Sequence, residues 1–119
     1  MAANIKQGEI YEVDWNPARG SEQAGRRPGI VVQNDVANAV QAYPVTIVCA
    51  ISSKLKGYPS MVRVEPTPEN GLTETSEINA AQVMTIQKDR LMLRRGQLSA
   101  KEMKLLEQKL AYMLSISVD

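Results

Sequence analysis

The stretch VTIVCAISS, Val45 to Ser53, constrains the fold more than any other, because it holds the densest β-branched content of the chain. Side chains branched at Cβ lose rotamer freedom in a helix and pack well on a pleated surface, so this segment is read as a core strand. In GEIYEVDW, Gly8 to Trp15, one face carries Tyr11, Val13 and Trp15 and the other Glu12 and Asp14, the period of a half-buried strand. In SMVRVEP, Met61 and Arg63 alternate with Val62 and Val64. PGIVVQND reads as a central strand whose missing amide falls at its first residue. EINAAQVMTI is a strand or mixed strand and loop, and one more strand is expected around Leu91 to Leu93.

After that strand the period changes. Ser99 and Glu102 have the spacing of a capping box, in which each side chain satisfies a free amide at a helix start for about 1 kcal/mol. Met103, Leu106, Leu110 and Met113 then recur three and four residues apart, predicting one amphipathic helix that ends near Ser115. VANAVQAYP reads as connection and NPARGSEQAGRR as a long loop. Several short strands and a single helix define a mainly β domain with minor α, spanning residues 1–119, in which a curled sheet or small barrel is closed or flanked by the helix.

Composition narrows the function classes. Apolar content of 44% and charged content of 23% are globular values. The net charge of +1 excludes a strongly basic nucleic-acid coat. Its distribution leans the other way: residues 1–82 carry seven basic and nine acidic groups, residues 83–119 seven and four. No apolar run approaches the roughly 20 residues of a membrane span, and MAANIKQGEIY lacks a signal-peptide pattern, so a cytoplasmic chain without membrane contact is expected. There is no histidine, so acid–base chemistry would proceed without the side chain that titrates near neutral pH. With a single cysteine, Cys49, read as a buried structural thiol, no metal site and no cofactor are expected.

Phosphate-binding loops, dinucleotide glycine patterns and nucleophile elbows are missing. What stands out is GSEQAGRRPGIVVQND, Gly20 to Asp35. Arginine offers a planar fork of donors suited to phosphate oxygens, and Arg27, before Pro28, is biased to extended backbone that projects it from the mouth of the strand. Glu22 and Gln23 carry groups suited to base edges. The alternative is that Arg26 and Arg27 are solvated or cap the barrel through a salt bridge. Ser52, at the end of the core strand, either joins a site or satisfies a local backbone group. With aromatic content of 4%, an extended stacking platform is excluded, and at most Trp15 or Tyr58 contributes locally.

The run GEIYEVDWNPARGSEQAGRRPGIVVQND closely resembles the opening of the MazF/PemK family of bacterial toxins, and the likeness continues through TIVCAIS, INAAQVMTIQKDRL and the final helix. The resemblance implies a Src-homology-3-like small barrel of the MazF/PemK/CcdB type with a C-terminal helix. It also implies an mRNA interferase of a type II toxin–antitoxin system, cutting single-stranded RNA at short sequences without a metal. A symmetric homodimer is implied, with RNA in a groove at the interface and a cognate antitoxin blocking that groove through an extended acidic C-terminal segment. By position, the family's catalytic arginine falls on Arg27 and its usual threonine on Ser52, which keeps the hydroxyl. RNA contacts fall on Ser21, Glu22, Gln23 and Gln82, while Arg26 stands as a phosphate contact or a solvated side chain. Ala81 occupies a place often acidic in relatives.

On that resemblance, the expected reaction is attack by the 2′-hydroxyl on its own phosphate, with Arg27 stabilising the phosphorane and Ser52 bonding a phosphate oxygen. Glu22 is assigned to base recognition or, alternatively, to proton removal. Two other classes compete: a CcdB-like toxin directed at gyrase, which would use a tryptophan near the end of the helix that SISVD lacks, and a non-catalytic RNA-binding module.

Overall fold

The computed structural model describes residues 4–15 and 25–117. Six strands form one antiparallel sheet: β1 (Glu9–Asp14), β2 (Arg26–Val31), β3 (Val45–Ser52), β4 (Met61–Val64), β5 (Ser76–Gln87) and β6 (Leu91–Gln97). Their order across the sheet is β4-β5-β3-β2-β1-β6. A short helix α1 (Asp35–Asn38) follows β2, and α2 (Ala100–Met113) follows β6.

β3 lies in the middle of the sheet and is buried on both faces, which accounts for its unbroken apolar run. Cys49 and Ile51 join Ile10, Ile30, Val62, Val64, Ile78 and Leu106 in one core, and Val48 and Ala50 join Tyr11, Val13, Trp15 and Val31 in the other. α2 covers the first core and starts with the capping box expected at Ser99: its hydroxyl accepts the Glu102 amide at 3.1 Å, and the Glu102 carboxylate accepts the Ser99 amide at 3.2 Å. Leu106 is its one fully buried side chain, with Met103 and Leu110 packed beside it. Met113, the last apolar position of the expected stripe, is exposed, because the core contacts end a turn earlier. No described helix is long and apolar enough to cross a membrane.

The curled sheet expected from the sequence is present, and its edge strands β4 and β6 do not pair with each other. The turn after β4 bridges them instead. The Gln97 amide donates to the Glu69 carbonyl at 2.9 Å, and the Arg95 guanidinium donates to the Gly71 carbonyl at 2.8 Å. The backbones approach so closely there that a Cβ at Gly96 would collide with the Glu69 carbonyl, and one at Gly71 (φ +67°) with that of Arg95.

Two segments depart from expectation, and a third decides between the two alternatives left open for it. β2 begins at Arg26, two residues before Pro28; the proline is tolerated because it faces only Glu12 of β1, and pairing with β3 starts at Gly29. VANAVQAYP contributes to α1, whose start is capped by Asn34 accepting the Ala37 amide at 2.8 Å. EINAAQVMTI belongs wholly to one long strand, β5, whose ladder to β3 is interrupted by an irregularity between Ile78 and Val83, across from Ala50.

At the opposite end of the molecule from Ser52, Glu9 ties the first residues down. Its carboxylate accepts the Lys6 amide at 2.8 Å, the Tyr11 hydroxyl at 3.0 Å and Arg94 Nε at 2.8 Å. Burial, followed by the nearby Glu9 charge, pushes the Tyr11 phenol from 10.0 up to about 12. The folded state thus holds this phenol neutral, so its contribution to stability is complete below about pH 10 and is lost as pH rises toward about 12. Comparison of urea unfolding for the wild type and Tyr11→Phe should show their difference shrinking across that window; a difference constant from about pH 9 to 12 would contradict it.

Candidate active site

The register of the sheet brings the candidate residues into one row. β2 pairs Gly29 with Ala50 of β3, and the same register continued two residues along each strand sets Arg27 opposite Ser52. β3 pairs Ser52 with Glu77 of β5, and β4 pairs Arg63 with Glu77. Directly opposed residues of antiparallel strands share a face, so Arg27, Ser52, Glu77 and Arg63 cross four strands on one side of the sheet.

Arg27, Ser52 and Glu77, but not Arg63, line an open groove of about 670 Å³, whose wall also includes Arg26, Lys54, Lys56, Tyr58, Asn79, Gln82 and Arg95. A larger hollow of about 910 Å³ lies beside the start of α2, where Lys101 and Lys104 are balanced by Glu69 and Glu102. The groove is the stronger candidate because, among the described residues, it gathers five basic side chains against two carboxylates, Glu74 and Glu77. Among the described residues, the ion pairs are Arg63–Glu77, Arg94–Glu9 and Arg95–Glu12. They leave Arg26, Arg27, Lys54 and Lys56 exposed and available to an anion.

Each side chain has a local support. Trp15 is buried and its indole Nε1 donates to the Arg27 carbonyl at 3.1 Å, while its amide donates to the Gly25 carbonyl at 3.0 Å. The indole packs over Gly29, where an added Cβ would lie 3.1 Å from Trp15 Cζ2. Trp15 therefore belongs to the support of Arg27. Ser52 Oγ accepts the Lys54 amide at 3.1 Å, which leaves the hydroxyl proton free to be donated into the groove. Gln82 is exposed on the irregular part of β5, which turns it toward the same groove. Cys49 is buried, and its thiol is pushed up to about 12, as expected of a structural residue.

The structure thus brings together Arg26, Arg27, Ser52 and Gln82. Ser21, Glu22 and Gln23 lie outside the described residues. Sequence reasoning missed Lys54, Lys56, Asn79, Glu77 and Arg95. SSKLKGYP, two lysines and a glycine directly after the core strand, was the signal for the first two. Glu77 had none, because only the pairing of β3 with β5 sets it beside Ser52.

A basic groove at one end of a curled antiparallel sheet, with an exposed arginine and a serine hydroxyl in its lining, has the donors and charge that a phosphate chain would need. Residues 6–114 match the family described as PemK-like, MazF-like toxin of type II toxin–antitoxin system. The chain is 36% identical to Endoribonuclease MazF9 of Mycobacterium tuberculosis over 94% of its length and 98% of that protein. It is 35% identical to Endoribonuclease MazF of Staphylococcus saprophyticus, over 84% and 82%. It shares its fold with an endoribonuclease solved in complex with its cognate antitoxin from a mycobacterial species, with a TM-score of 0.76 at 23% identity and full coverage of both chains. The chain belongs to the PemK-like, MazF-like family of type II toxins.

Trp15→Phe keeps an aromatic ring in the core and removes the indole donor. It should lower unfolding free energy by about 1 kcal/mol in urea titration; an unchanged midpoint would show that the bond to Arg27 contributes nothing.

Proposed function

We propose that the chain is a sequence-specific, metal-independent endoribonuclease, the toxin of a type II toxin–antitoxin pair, which cuts single-stranded mRNA in the groove between Arg27 and Ser52 and so arrests translation and growth. The observation that carries this reading is that Arg27 and Ser52 line one groove in which, among the described residues, cations outnumber carboxylates. The two curated relatives are both named endoribonucleases.

In the proposed step the 2′-oxygen of the nucleotide before the cut attacks the adjacent phosphorus. The P–O5′ bond breaks, the 2′-hydroxyl proton leaves, and the departing 5′-oxygen gains a proton. The products are a 2′,3′-cyclic phosphate and a 5′-hydroxyl. Arg27, a permanent cation, neutralises the extra charge on the phosphorane, and Ser52 donates a hydrogen bond to a non-bridging oxygen. Ser21, Glu22, Gln23 and Gln82 read bases, and Arg26 contacts phosphate. With no histidine in the chain and its cysteine buried, the rate enhancement rests on alignment and charge stabilisation.

The reading extends to partners. A labile antitoxin would cover the basic groove with an extended acidic C-terminal segment, a fit supported by the exposed Arg26, Arg27, Lys54 and Lys56. The toxin acts in the cytoplasm, where mRNA is. It acts as a homodimer, in which a second copy would cover exposed apolar side chains such as Tyr112, Leu114 and Ile116 at the end of α2. The scattering mass of the purified chain decides between one copy and two.

The test is incubation with a long single-stranded RNA in the presence of a chelator, with the ends mapped. Arg27→Ala should cut roughly two to three decades more slowly, and a 2′-methoxy group at the cut should abolish cleavage. Equal cutting by the variant, or cleavage of the methoxy substrate, would overturn the proposal.

A further inference from the structure

Glu77 is a carboxylate with 3% of its surface exposed, and both its oxygens are committed to backbone. Oε1 accepts the Lys56 amide at 2.7 Å, and Oε2 accepts that of Gly57 at 3.0 Å. Gly57, at φ +69°, takes the left-handed conformation that lets two successive amides converge on one acceptor group. The Arg63 guanidinium stands 3.9 Å from Oε2 with more than half its side chain exposed, so it adds little to the hold. The same loop, between β3 and β4, is held at its start by Ser52 Oγ accepting the Lys54 amide. Near its end, Lys109 Nζ of α2 donates to the Pro59 carbonyl at 2.7 Å.

The held loop carries Lys54, Lys56 and Tyr58, all exposed and all lining the groove with Arg27 and Ser52. We propose that Glu77 is a positioning residue that locks this loop, so that its two ammonium groups and its phenol ring hold the RNA flanking the cut. It sets substrate affinity rather than the chemical step. A carboxylate with both oxygens occupied by amides is poorly placed to take a substrate proton. Loose lysines would pay their ordering entropy on binding, whereas a pinned backbone has already paid much of it. This inference rests on the endoribonuclease reading only for the identity of the ligand; the lock itself is a property of the free protein.

Glu77→Gln is the discriminating variant, because it keeps size but turns an NH₂ donor toward one of the two amides. Two measurements test it. Brief trypsin digestion without RNA, with fragments mapped by mass, reads the loop: cleavage after Lys54 and Lys56 should quicken about tenfold while the sites at Lys101 and Lys104 in α2 stay protected. Single-turnover RNA cleavage reads the groove: half-saturation should rise about tenfold with the saturating rate within about twofold of wild type. Arg63→Ala should leave both readouts unchanged, which separates the amide lock from the ion pair.

An unaltered tryptic pattern would overturn the lock, as would α2 sites opening equally with the loop. A fall in saturating rate at constant half-saturation would overturn positioning in favour of chemistry. If the wild type cuts no RNA, the endoribonuclease reading and the affinity role fall together, while the tryptic result still decides the lock.

Discussion

The pairing of Gly29 with Ala50 sets the frame of the candidate site, because it aligns the strand ends that carry Arg27 and Ser52. Side chains on a strand alternate between faces, so a slip of β2 by one residue against β3 would carry Arg27 to the face opposite Ser52. The two cores make that slip costly. Ile30 and Cys49 belong to one, Val31 and Val48 to the other, and a slip of β2 would part Ile30 and Val31 from their partners. The alignment of Arg27 with Ser52 is thus fixed by apolar residues several positions away, which leaves the site free to keep exposed cations.

The edges of the groove are held by polar bonds rather than by the core. Trp15 supports Arg27 from β1, Ser52 holds the start of the next loop, and Glu77 and Lys109 hold its middle and end. Arg95 reaches the bridging turn at Gly71 and so joins the wall of the groove to the closure of the sheet. Such a design suits a site that gathers positive charge: the cations that would contact a ligand stay in water until it arrives, and the buried groups behind them are already satisfied.

What could be read from the sequence follows from how local each cause is. The alternation of Tyr11, Val13 and Trp15 and the capping box of Ser99 and Glu102 depend on neighbours within a few residues, and both are found in the structure. α1 escaped because it is only one turn long and its Val36 is exposed, so it shows no apolar period. The start of β2 escaped because a proline was taken as a boundary, whereas Arg26, Arg27 and Pro28 pair with β1 and the ladder to β3 begins only at Gly29. At the site, Arg27 and Ser52 were singled out by residue type and by family resemblance, and the fold brings them together. Glu77 was invisible, since its importance comes from pairing with a strand far away in the chain.

If the register places Arg27 and Ser52 on one phosphate, their effects on its cleavage must be coupled. A double-mutant cycle with Arg27→Ala, Ser52→Ala and the pair, measured as single-turnover cleavage of one single-stranded RNA, tests this directly. The combined loss should fall short of the product of the single losses by about threefold or more. Losses that multiply without interaction would contradict a shared phosphate.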